Sequence, residues 1–121
     1  MSFTRNTARD IPEEFMLDKY GGPRNGNPLI RCICDHAKER KVMLNFIGYF
    51  RRVDSGNVAS YNVTHIYHVG SSSVRIDTHN SEEVGIGAEI KVVGPNEEEV
   101  SCIIQKYNEI LYPELDASSI I

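Results

Sequence analysis

Residues 28–35, PLIRCICD, decide how this chain is read. Ile30, Cys32 and Cys34 alternate with Leu29, Arg31 and Ile33. Side chains two apart share one face of a strand, so the stretch predicts a strand with apolar residues on both faces. Within it, RCICDH (31–36) sets Cys32, Cys34 and His36 at every second position, which are residue types that bind metals. The spacing argues against a site. Along a strand, C-x-C separates the two residues by roughly 6 to 7 Å at Cα level. His65 and His68 of HIYH differ by three and point to opposite faces. No metal is expected, and the thiols read as small core fillers.

Working outward, VMLNFIGYF (42–50) alternates Val42, Leu44, Phe46 and Phe50 against Met43, Asn45, Ile47 and Tyr49. Apolar residues on both faces predict a central strand. The intervening HAKERK (36–41) reads as a hairpin loop, with a single helical turn as the alternative. SYNVTHIYHV (60–69) puts Val63, His65, Tyr67 and Val69 on one side, and after the GSS turn SVRIDT (73–78) points Val74 and Ile76 inward. GAEIKVVG (87–94) does the same with Ala88, Ile90 and Val92. PNEEEVSCIIQKYNEILYP (95–113) predicts an amphipathic helix. Asn96 is its N-cap, Glu99 stands at the capping-box position, Val100, Ile103, Ile104, Tyr107 and Leu111 recur at helical spacing, and Pro113 ends it. Toward the N-terminus, GGPRNGNP (21–28) is loop chemistry. Asp10, Pro12 and Glu13 before Phe15 and Leu17 predict a short helix near 11–20. The expected fold is α+β: a five-stranded, mostly antiparallel sheet under one C-terminal helix, formed by a single domain over 28–121 with an arm over 1–27.

The 121 residues, 40% hydrophobic and 25% charged, afford one modest core. There is no run of about 18 apolar residues and no signal-like apolar segment near Met1, so a cytoplasmic protein with no membrane partner is expected. Three cysteines, two of them only two apart, are expected to be free thiols. The net charge of −4 is uneven. Seven basic residues fall between Arg24 and Arg52, against two acids, while ten acids from Asp77 onward face only Lys91 and Lys106. Such a split suits a polyanion-binding face or subunits that meet through complementary fields.

Catalytic patterns are weak. Ser71–Ser73 sit in a hairpin turn, where serine favours local backbone bonding, despite His68, Asp77 and His79 nearby. GIGAEI leads into a strand and not a helix, so it is no dinucleotide loop. No catalytic residue and no cofactor are expected. Two functions follow. The first is a non-catalytic structural or interaction subunit of a homo-oligomer or larger assembly, a virus or phage particle included. Phe3, Phe15, Ile120 and Ile121 are its candidate interface residues, because apolar groups in polar tails call for a partner surface. The alternative is a nucleotide- or nucleic-acid-binding protein that uses Tyr49, Arg51, Arg52, Tyr67 and Arg75 as stacking and phosphate-pairing groups, against which the acidic pI of about 5.5 weighs.

Overall fold

A computed structural model describes residues 1–18, 26–54 and 57–114. Strand β1 (Phe3–Asp10) is followed by a single 3-10 turn (Glu13–Phe15) and helix α1 (Pro28–Arg40). Then come β2 (Leu44–Asp54), β3 (Asn57–Val69), β4 (Ser72–Ser81), β5 (Gly85–Gly94) and helix α2 (Glu97–Leu111). The five strands form one antiparallel sheet in the order β1-β5-β4-β3-β2. Strands β2 to β5 follow one another as hairpins, and the chain's first strand closes the far edge against β5. None of the described helices is long and apolar enough to cross a membrane.

The α+β class, the number of strands, their antiparallel pairing and the C-terminal helix packed on the sheet are as the sequence predicts, although one of the five strands is a different segment. Asn96 accepts from the Glu99 amide at 3.0 Å, and α2 buries Val100, Ile103, Ile104, Tyr107 and Leu111. Two elements differ. PLIRCICD is not a strand but the start of α1, and HAKERK is that helix's C-terminal half rather than a hairpin loop. Asn27 is the reason. Its side chain accepts from the amides of Leu29 (2.8 Å) and Ile30 (3.4 Å), and Pro28 at the first helical position has no amide to leave unsatisfied. From there Leu29, Ile30, Ile33, His36 and Ala37 make one buried stripe at helical spacing. Lys41 ends the helix in the left-handed region at φ 55°.

The second difference lies in the N-terminal residues. Residues 3–10, assigned no structure from sequence, supply the fifth strand, and residues 13–15 make one 3-10 turn where a helix over 11–20 was expected; 19 and 20 lie outside the described residues. The segment continues into the core, with Ile11 and Leu17 both buried and the Leu17 amide donating to Thr78. Asn27 also donates to the carbonyls of Phe15 and Met16, both at 3.0 Å. It therefore ties the segment to α1 as well as capping the helix. Asn27→Ala is expected to destabilise the fold by about 1 to 2 kcal/mol, read from the urea midpoint at unchanged slope.

Both helices cover one face of the sheet. Helix α2 lies over β1 and β5 and packs against α1, and the buried Tyr107 hydroxyl donates to the Leu29 carbonyl at 2.9 Å. Val63, Val69, Val74, Ile76, Ala88, Ile90 and Val92 supply the sheet's half of the core. The β3–β4 turn is fastened to α2. Glu99 does not close a capping box; its carboxylate accepts from the Ser71 amide (3.2 Å) and from the Ser71 and Ser72 hydroxyls. Gly70, at φ 58°, lies so close that a Cβ would stand 2.3 Å from that carboxylate.

Candidate interaction surface

The two edges of the sheet are built differently. At one, β1 is eight residues long and mostly polar, and its inward side chains are engaged by α2. Thr7 donates to Asn108, and Arg9 donates to the Leu111 carbonyl at 2.9 Å, lies over the Tyr112 ring and pairs with Glu114. Charged and engaged residues of this kind blunt an edge.

At the other edge, β2 runs for eleven residues and pairs only with β3 among the described strands. Phe46 (38% exposed), Ile47 (52%), Tyr49 (43%), Phe50 (49%) and Val53 (42%) make up five of the eight large apolar side chains exposed among the described residues. They occur on both faces. Register with β3 places Phe46, Tyr49, Arg51 and Val53 opposite Tyr67, His65, Val63 and Tyr61 on the helix-covered side, and Phe50 and Arg52 opposite Thr64 and Asn62 on the open side. A register shift between Phe46 and Gly48 makes Ile47 a bulge. The sequence predicts a central strand here, and the structure corrects that to an edge strand. The apolar residues on both faces are present, but β2 has one neighbouring strand among the described residues.

Behind the edge the side chains are locked. Phe46 and Tyr49 lie against the His65 ring, with centroids 5.4 and 5.9 Å away, and Phe46 lies 5.3 Å from Tyr67. His65 is fully buried, its Nδ1 is 3.1 Å from the Tyr67 hydroxyl, and burial holds its pKa below the ordinary imidazole value, partly offset by Asp18. On the open side the Arg75 guanidinium sits 5.5 Å from the Phe50 ring centre and its Nε pairs with Asp77 at 3.0 Å. Asp77 in turn accepts from Thr64.

The candidate ligand-binding residues are thus divided between two faces: Tyr49, Arg51 and Tyr67 on one, Arg52 and Arg75 on the other. Tyr67 is 2% exposed, so its ring offers no platform to a base, and burial also raises its phenol pKa. Of the candidate interface residues, Phe3 and Phe15 pack half-buried against the chain's own core, and Ile120 and Ile121 lie outside the described residues. Comparison with known proteins finds no relative: no family model, no curated protein and no solved structure matches the chain significantly.

Cys32 and Cys34 lie on a helix, where residues two apart do not face each other. Both are free thiols; burial pushes Cys32 up to about 12 and raises Cys34 as well. Among the described residues no three His, Cys, Asp or Glu side chains are grouped to hold a metal ion. What the sequence did not give was the edge position of β2, since its apolar residues are visible in the sequence but its place in the sheet is not.

Proposed function

We propose that this protein is a non-catalytic structural subunit that self-associates by pairing β2 edge to edge with β2 of a second copy, joining two sheets into one. The observation that carries the reading is a strand with central-strand chemistry in an edge position. Edge strands that stay monomeric are blunted by shortness, charge, cover or a bulge. Strand β2 has the bulge at Ile47 and charge at Arg51 and Arg52, but residues 46–50 carry no charged side chain and leave four large apolar ones exposed.

A second copy suits the edge because two identical strands meet about a two-fold axis, each residue i facing a residue j and j facing i. With Phe50 on the axis, Phe50 meets its own copy, Tyr49 stands opposite Arg51, Gly48 opposite Arg52 and Ile47 opposite Val53. Antiparallel partners point to the same face, so this register keeps the two sides of the sheet matched. It also separates the arginines, whereas an axis at Arg51 would oppose like charges. The three free thiols support a reducing compartment, and a cytoplasmic or particle-borne subunit is the setting we favour.

Ile47→Lys combined with Val53→Lys tests the interface. The pair sets lysine against lysine at both ends of the register, on side chains already about half exposed in the monomer. Light scattering is expected to give a mass twice 13.7 kDa for the unmodified chain and 13.7 kDa for the double variant, with unchanged circular dichroism. Equal masses for the two chains would refute this interface.

A further inference from the structure

Behind the β2 edge sits a titratable group whose surroundings belong partly to that strand. His65 is fully buried on the helix-covered side of β3. Toward the middle of the sheet its neighbour is Ile76 of β4, also fully buried. Toward the edge lie the rings of Phe46 and Tyr49, both partly exposed, with centroids 5.4 and 5.9 Å from the imidazole. Tyr67 closes the box, its ring centre 6.0 Å away and its hydroxyl 3.1 Å from Nδ1. Water on the edge side therefore reaches the imidazole by displacing side chains of β2, the strand that pairs with a second copy in the reading above.

The box suits a neutral ring. Nε2 is buried and has no hydrogen-bond partner among the described residues. A protonated ring carries an N–H on both nitrogens, so its Nε2–H is a charged donor with no acceptor in apolar surroundings. Around it β2 brings Tyr49, with Arg51 two residues on, and β3 brings Tyr67. Strand β4 brings the uncharged Ile76, α1 brings Cys34 near Tyr67, and the segment after the 3-10 turn brings Asp18. The Asp18 charge favours a proton, and burial outweighs it.

Pairing with a second copy sharpens this preference. With Phe50 on the two-fold axis, Tyr49 faces Arg51 of the second copy on the same side of the sheet, so the dimer covers the way in and adds a positive charge beside the box. An imidazolium is thus worse placed in the dimer than in the separate chain. Linkage is reciprocal, so whatever pairing does to proton uptake, proton uptake does to pairing.

We propose that His65 is an acid-sensitive latch on the β2 pairing: a proton taken up by its ring opens the Phe46 and Tyr49 side of the strand and releases the second copy. This latch rests on the β2 pairing proposed above and supplies its regulation. Each chain takes up one proton, so the dissociation constant rises by up to about a hundredfold per pH unit as pH falls through the His65 value of the separate chain, which burial holds below 6.5.

Sedimentation and circular dichroism of the full chain at about pH 7.5 and about pH 5.5 test the latch. The dissociation constant is expected to be at least about tenfold larger at the lower pH, with the circular dichroism unchanged. His65→Phe, which fills the box without a titratable nitrogen, is expected to pair equally at both, and His36→Gln to keep the pH dependence. In the unmodified chain the His65 pKa read by NMR is expected to fall as protein concentration rises, a readout that stands even where His65→Phe does not fold. Equal pairing at both pH values, release only together with loss of the circular dichroism signal, a folded His65→Phe that still releases its partner in acid, or a His65 pKa independent of concentration would overturn the latch and leave the pairing intact. No dimer at about pH 7.5 would overturn both.

Discussion

A chain beginning at Asn27 is expected to lose its cooperative unfolding transition. Removing the first 26 residues strips β1 from β5, which leaves a second open edge, and takes Ile11 and Leu17 out of the core. Each of those two side chains is worth about 1.5 to 3 kcal/mol of burial, before any cost of the cavity left behind. The Thr7 and Arg9 bonds to α2 disappear with them. Against a total stability of about 5 to 15 kcal/mol for a domain of this size, the sum removes most or all of the margin. Leu17→Ala alone should cost about 2 to 5 kcal/mol, because this 2% exposed side chain sits in the core cluster. Thermal denaturation followed by circular dichroism checks both. A shortened chain that melts cooperatively near the full-length temperature would mean that the N-terminal residues are an appendage, contrary to the sheet described above.

The second large effect is on acid stability. His36 and His65 are both buried and both held below the ordinary imidazole pKa of 6.5, each chiefly by burial. A histidine depressed in the folded state binds its proton preferentially in the unfolded state. Its contribution to stability is therefore complete above pH 6.5, is lost as pH falls below 6.5, and stops changing once pH passes below the folded-state value. With two such groups the slope reaches up to about 2.7 kcal/mol per pH unit inside that window. The window is separate from that of Glu39 and Glu114, which are held below 4.5 and lose their stabilising role only in more acid solution. Urea unfolding at a series of pH values should show stability level above pH 6.5 and falling beneath it, with the slope roughly halved in His36→Gln. A flat profile between pH 6.5 and 5 in the unmodified chain would contradict the burial of both rings.

What could be read from the sequence tracks how local each signal is. Helix α2 was legible because its cap, its acidic first turn and its apolar stripe all lie within nineteen consecutive residues. The three hairpin strands β3 to β5 were legible because alternation and turn residues agree. Helix α1 was misread because Cys32 and Cys34 alternate by chance in a window too short to separate the two periods. The correct signal, Asn27-Pro28 followed by Leu29, Ile30, Ile33 and Ala37, was equally present, but the helix ends on a left-handed lysine where a glycine would have marked it. Strand β1 carries almost no apolar pattern, since Arg9 reaches for the end of α2 and Arg5 lies near Glu97 at its start, and its pairing with β5 is a contact between segments far apart in the chain. Of the surface, the apolar residues of β2 were visible and their edge position was not.

The central claim is that β2 acquires a second neighbouring strand from another copy, and amide hydrogen exchange measured against protein concentration tests it most directly. Amides of β2 that point away from β3 should exchange slowly in concentrated solution and quickly on dilution, while the outward amides of β1 stay fast throughout. Fast exchange along the outer side of β2 at every concentration, together with a constant mass of 13.7 kDa, would contradict the account.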